Sequence, residues 1–211
     1  MRPFYRFTWI VVRSFLVLYC RLRINGKENV PSEGGIIIAS NHVASGDPPF
    51  VGTSLQREVY FLAKRELFQN PLLRTLIKNL NAIPVNRGVF DRKALARSEE
   101  ILQKGFGLIL FPEGTRSKTG ELGRGRPGIG MLARHAMVPI VPTYIQNSRR
   151  FLRLPFIGKR LIVSFGKPLS KEWLSKTPDD KEGYRAIVRE VMERIRFLKE
   201  ESASGRSPNS K

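Results

Sequence analysis

The chain is poor in the residues that most metal, redox and disulfide chemistries need. Among its 211 residues are one cysteine, Cys20, and two histidines. A single cysteine excludes an intramolecular disulfide and any cysteine-based zinc site, and it suits a reducing cytoplasmic setting. Acidic residues are also scarce: 18 Asp and Glu stand against 37 Lys and Arg, a formal charge of +19. That surplus calls for anionic partners, whether nucleic acid, phospholipid headgroups, phosphorylated small molecules or an acidic carrier protein. Long uncharged apolar runs are missing as well. Arg6 and Arg13 interrupt the opening MRPFYRFTWIVVRSFLVLYC before it reaches the roughly 18 to 20 residues that span a bilayer, and no small-x-small cleavage site of a secretory signal follows it. No internal repeat is present.

What is there fits one α/β domain with a full core rather than two independent domains. The expected division is an N-terminal membrane-associating helix over 1–22, a single α/β domain over 23–201 and a disordered tail over 202–211. On a helical wheel at about 100° per residue, Arg2, Arg6 and Arg13 fall within roughly 40° of one another, with Phe4, Val11, Phe15 and Leu22 opposite. Two arrangements fit this pattern. The helix can lie in a headgroup layer, its apolar face in the acyl boundary and its arginines on anionic phosphates, or it can be a core helix whose arginines face water.

Strand and helix signals then alternate. Strands are expected at about 21–25, at Gly35–Ser40 with its three consecutive isoleucines, at 58–63, and in AIPVNR, GLIL, VPIVPTYI and KRLIVSFGKPL. Helices are expected from Asp47 as N-cap, with Pro48 in the first turn, to about Leu55, as two short pieces broken before Pro71, and in DRKALARSEEILQKG and GIGMLARHAM. A closing helix is expected to start at Thr177 and Pro178. Its apolar stripe is Tyr184, Ile187, Val188, Val191, Ile195 and Leu198. The pattern predicts a mixed, largely parallel central sheet flanked by helices. In such sheets functional groups gather beyond the carboxyl ends of strands, where His42, Arg87 and the loop FPEGTRS fall.

His42 and Asp47 would lie about 140° apart on a continuous helix, so they meet only if the chain turns between them, as Ser45 and Gly46 allow. The carboxylate can then fix one imidazole nitrogen and leave the other to take a proton from a hydroxyl. The bland alternatives are a helix-capping aspartate and a hydrogen-bonded spacer histidine. Ser45 lacks the Gly-x-Ser-x-Gly elbow of a nucleophile. In FPEGTRS, Gly114 lets backbone approach a ligand, Thr115 offers a hydroxyl and Arg116 a planar fork for phosphate; an ordinary polar turn is the competing reading. Arg87, Arg124 and Arg126 add cations, and together they suggest a phosphorylated substrate beside a general base.

The ordered set His-x-x-x-x-Asp, AKRELF, IPVNRG, FPEGTRS and VPIVP resembles the glycerolipid acyltransferase family, specifically the bacterial 1-acylglycerol-3-phosphate (lysophosphatidate) acyltransferases, from about Asn25 to Leu169. The resemblance implies His42 as general base and Asp47 as its orienter. It implies Arg87, Glu113, Gly114, Thr115 and Arg116 as binders of the acceptor's phosphate, with Lys64, Arg124 and Arg126 as further cations. GRGRPG stands where many relatives carry a Phe-Lys-Lys-Gly-like stretch, and VPIVP, Val138 to Pro142, looks like the family's motif on the acyl-donor side. The implied reaction moves an acyl group from acyl-coenzyme A or acyl carrier protein to lysophosphatidate, giving phosphatidate, without metal or cofactor. The implied setting is the cytoplasmic face of the cell membrane, peripheral or monotopic, with the anionic membrane surface and acyl carrier protein as partners and no nucleic acid. The same motifs also suit another lysolipid acceptor. A non-catalytic membrane lipid-binding protein is disfavoured by the intact dyad, and a nucleic-acid binder by the absence of any base-reading helix, zinc finger or RNA-binding aromatic signature.

Overall fold

In the computed structural model, which describes residues 1–86, 88–89 and 91–204, seven strands form one sheet. In chain order they are β1 (Arg23–Asn25), β2 (Ile36–Ser40), β3 (Val59–Lys64), β4 (Ala82–Val85), β5 (Gly107–Leu110), β6 (Ile140–Gln146) and β7 (Ile162–Phe165). The helices are α1 (Pro3–Leu18), α2 (Asp47–Ser54), α3 (Pro71–Asn79), α4 (Arg92–Gln103), α5 (Gly128–Ala136), α6 (Lys171–Ser175) and α7 (Lys181–Ser204). Across the sheet the order is β1-β7-β6-β2-β5-β3-β4. Every neighbouring pair is parallel except β6 with β7, so the expected mixed, largely parallel α/β sheet is what the chain forms.

All five residues of β2 are buried, because helices cover both faces of the sheet. Ile37 and Ala39 point into a core built with α4, α5 and α7. Ile36 and Ile38 point the other way, into a core closed by Leu16 and Cys20 at the end of α1 and by Phe50 and Val51 of α2. Each of the three isoleucines contributes on the order of 1.5–3 kcal/mol by leaving water. Pro84 lies in edge strand β4, where a missing N–H costs no ladder bond. Pro142 is in an interior strand, but the β6–β7 ladder begins only at Thr143.

Three local expectations change. Asp47 is the first residue of α2 rather than its N-cap, and its carboxylate caps no helix N–H but turns back to the preceding loop. The closing helix starts at Lys181, with Asp180 Oδ1 accepting the N–H of Gly183 at 2.8 Å, so Asp180 caps it in place of Thr177. Between them lies α6, unanticipated in the sequence, capped by Ser170, whose Oγ accepts from Trp173. Helix α7 continues through Ser204, three residues into the stretch expected as a tail, and the rest of that stretch lies outside the described residues.

Helix α1 inverts the expected use of its arginines. Arg13 donates to the Thr53 carbonyl at 2.7 Å and stacks over Trp9. Arg2 pairs with Glu58 at 2.8 Å and bonds Asn81. Arg2 and Arg13, together with buried Tyr5 and Leu16, are therefore held against the protein, while Arg6 is exposed and Phe4, Phe7, Ile10, Val11, Phe15, Val17 and Leu18 are exposed on the outside. Among the described residues no helix is long and apolar enough to cross a membrane.

Candidate active site

The parallel strands β2, β3, β4, β5 and β6 all end on one edge of the sheet, and the sequence motifs leave from those ends. Asn41 follows β2 and is buried, with its side chain bonded in both directions to the backbone of Ile145 in β6. This fixes the exit of β2, so the next residue, His42, is placed by the sheet itself.

The loop after His42 turns at Ser45 and Gly46 and brings Asp47 back to it. His42 Nδ1 lies 2.8 Å from Asp47 Oδ2, with His42 4% and Asp47 0% exposed. The same oxygen accepts the backbone N–H groups of Val43 at 2.7 Å and Ala44 at 2.8 Å. An ionised carboxylate is acceptor-only, so Nδ1 carries the proton and Nε2 presents a lone pair. Phe111 stacks on the imidazole at 4.0 Å between ring centres, 19° from parallel, which restricts rotation of the ring.

The FPEGTRS loop leaves β5 alongside. Glu113, 6% exposed, accepts the N–H of His42 at 3.3 Å through one oxygen and that of Gly123 at 2.9 Å through the other. Ser117 N–H donates to the His42 carbonyl at 2.7 Å. Arg116 donates to Ser45 Oγ at 2.6 Å, tying this loop to the dyad turn. Gly114 has φ +68°, and a Cβ there would meet the Arg126 side chain at 3.0 Å, so glycine serves both the turn and the close approach of Arg126.

Two cavities meet at His42. The larger, about 400 Å³, lies between α1, α2, β3 and α3; Tyr5, Trp9, Phe61, Leu73 and Ile77 line its depth, and His42, Ser45, Lys64 and Arg116 stand among its polar lining. Its size and apolar walls with few polar groups are those of a small-molecule pocket. Burial pushes the phenol of Tyr5 up to about 12, so this group stays neutral in the wall. The smaller, about 240 Å³, approaches from the other face of the sheet, past Phe111, Gly114, Arg126, Met131 and Leu132.

Of the expected site residues, the structure brings together His42, Asp47, Glu113, Gly114, Arg116 and Arg126. Lys64 lines the larger cavity while pairing with Glu66 at 3.0 Å. Thr115 and Arg124 are exposed and line neither cavity. Arg87 lies outside the described residues. Asn41 and Phe111 were missed; their places beside His42 and at the end of β5 were the only signals. Cys20 is buried and burial pushes its thiol up, which makes it a poor nucleophile.

The acyltransferase family model matches residues 21–146, which span this edge of the sheet from β1 to the end of β6. The chain belongs to the acyltransferase family. This acyltransferase is 29% identical over 196 residues to the 1-acyl-sn-glycerol-3-phosphate acyltransferase of Bacillus subtilis, covering 92% of this chain and 96% of that protein. It is 27% identical to the enzyme of the same name from Borreliella burgdorferi over 62% of this chain, a match that spans only 53% of that relative. The crystal structure of the 1-acyl-sn-glycerophosphate acyltransferase PlsC from Thermotoga maritima superposes with a TM-score of 0.70 at 26% identity, over 94% of this chain and 84% of that one.

Proposed function

We propose that this acyltransferase moves a fatty acyl group from an acyl thioester, carried by coenzyme A or acyl carrier protein, to the sn-2 hydroxyl of lysophosphatidate, giving phosphatidate. The observation that carries the reading is the buried 2.8 Å contact between Asp47 Oδ2 and His42 Nδ1 at the meeting point of two cavities. His42 Nε2 takes the hydroxyl proton as the oxygen attacks the thioester carbon. The new C–O bond forms, the C–S bond breaks, and the proton passes to the departing thiolate. A thioester is activated enough that no covalent enzyme intermediate is needed. Holding hydroxyl, base and carbonyl together supplies much of the rate.

The acceptor's phosphate is bound by Arg87, Arg116 and the turn of Gly114 and Thr115, with Lys64, Arg124 and Arg126 as further cations. Glu113, an anion, serves that site through the backbone it holds rather than by touching phosphate. An acyl chain occupies the larger, apolar cavity. The enzyme works on the anionic surface of the cytoplasmic leaflet, with the outer face of α1 against lipid. The catalytic unit begins at residue 23 and runs through the end of α7 at Ser204, with 1–22 as its membrane-associating helix. The reading is tested by offering the purified protein lysophosphatidate, lysophosphatidylcholine or lysophosphatidylethanolamine with one acyl thioester. Phosphatidate as the dominant product supports it, and preference for a zwitterionic lysolipid contradicts the phosphate assignment.

A further inference from the structure

The segment between β6 and β7, residues 147–160, leaves the same edge of the sheet as His42. It holds five cations, Arg149, Arg150, Arg153, Lys159 and Arg160, and no acidic residue. It is a built loop. Asn147 opens it at φ +68° and donates from its side chain to the Arg160 carbonyl at 2.8 Å, closing the base. Leu154 is fully buried beneath it and Phe151 packs edge-on against Phe50 at 5.0 Å. Arg149 donates to the carbonyl of Lys118 at 2.6 Å, which joins the loop to the one carrying Arg116.

The other apolar residues of this loop point outward. Phe156 is 82% exposed, and Leu152 and Ile157 are also exposed. A single exposed apolar residue means little, but a contiguous set marks a contact surface. Here the set continues the outer face of α1: Phe15 stacks on Tyr19 at 5.1 Å, and the Tyr19 hydroxyl donates to the Leu152 carbonyl at 2.9 Å.

We propose that the 147–160 loop is a second membrane-contact element, which inserts Leu152, Phe156 and Ile157 among lipid chains and places Arg150, Arg153, Lys159 and Arg160 on anionic headgroups. It builds on the membrane-surface reading of α1 and adds what that helix lacks, since the outer face of α1 is apolar and two of its arginines are tied to the protein. Cations beside inserted aromatic and aliphatic side chains are the composition of an interfacial anchor. An acidic carrier protein would use the cations and leave Phe156 in water. With both elements seated, the sheet edge that carries His42 faces the bilayer, and a lysolipid reaches the site without leaving the surface.

The test is cosedimentation with vesicles of phosphatidylcholine alone and of phosphatidylcholine with phosphatidylglycerol, for the full chain, Phe156→Asp, Leu152→Asp, Phe7→Asp and the double variant Arg150→Gln with Arg153→Gln. Unchanged melting establishes that each variant is folded. Phe156→Asp and Leu152→Asp should each lower partitioning on the order of tenfold. The double variant should lower binding to the anionic vesicles on the order of fivefold per cation and leave neutral vesicles little affected. Wild-type binding by both aspartate variants, with Phe7→Asp defective, overturns the loop while leaving α1 as the anchor. A wild-type chain that binds neither vesicle overturns both. Sensitivity to the arginines without sensitivity to Phe156 or Leu152 overturns insertion.

Discussion

Glu113 accepts the backbone N–H of His42 at 3.3 Å, 71 positions away in sequence. Its other oxygen holds Gly123, so one buried carboxylate sets the distance between the histidine and the two loops that carry Arg116 and Arg126. Glu113→Gln keeps the size but replaces one acceptor oxygen by a donor, which faces an N–H. Each unsatisfied buried group costs on the order of 1–3 kcal/mol. The expected outcome is a lower melting temperature together with a fall in kcat, read by thermal denaturation and steady-state kinetics. Loss of phosphate affinity alone, at unchanged stability, would instead put Glu113 at the ligand.

Asp47→Asn should remove activity by at least about a hundredfold, because the amide no longer fixes the proton on Nδ1 and the dyad loses its orientation. The variant also meets the N–H groups of Val43 and Ala44, so its melting should fall modestly. Full activity in Asp47→Asn would reduce this residue to a structural turn.

Arg116→Ala should raise KM for lysophosphatidate tenfold or more while leaving KM for the thioester within about twofold, since a guanidinium fork suits a phosphate. Ser45→Ala, which removes only the contact holding Arg116, should show the same pattern more weakly. Equal effects on both substrates would move Arg116 away from the phosphate.

Gly52 lines the larger cavity, and a Cβ there would make only ordinary contacts, with Val59, Ile109 and the Tyr5 hydroxyl at 3.6–3.8 Å. Gly52→Ala should therefore fold normally, and a larger side chain should grow into the space. Gly52→Leu is expected to shift the preference among acyl-chain lengths toward shorter chains, measured with a series of thioesters and lysolipids. An unchanged profile would take the chain out of this cavity.

The seating of α1 carries a pH dependence. Burial alone would raise the Glu58 carboxyl, but hydrogen bonds from Asn81, the Arg2 backbone N–H and the Arg2 guanidinium outweigh it and leave the group below the ordinary glutamate range. A depressed acid stabilises fully above its unfolded pKa and loses that contribution as pH falls through the lower folded value. Hydrogen exchange in the first turns of α1 should thus quicken on acidification below the ordinary glutamate range, and Glu58→Gln should flatten that dependence. Equal pH profiles in the two proteins would contradict it.

These features differ in how readily the sequence discloses them. The dyad was legible because Ile36–Ser40 is a buried strand and the turn residues Ser45 and Gly46 stand between His42 and Asp47. A strand-ending rule then placed FPEGTRS beside them. Helix α1 was legible as amphipathic, but a wheel does not tell which side meets the protein. That depended on Glu58 and Thr53, which lie 56 and 40 positions from their arginine partners. The bracing role of Glu113 was hidden for the same reason: its partners are backbone N–H groups, which carry no signature in side-chain pattern. Helix α7 starts at Lys181 rather than Thr177 because Asp180 Oδ1 takes the N–H of Gly183, a bond that the Thr-Pro pair at 177–178 does not disclose.

The central claim is that His42 is the base that readies a lysophosphatidate hydroxyl for a thioester. It is tested most directly by thiol release from a long-chain acyl thioester, with and without lysophosphatidate in vesicles, for the wild type and for His42→Ala. The account predicts release that requires lysophosphatidate and falls by about a hundredfold to ten-thousandfold in a folded His42→Ala protein. A folded variant that keeps half the wild-type rate would contradict it.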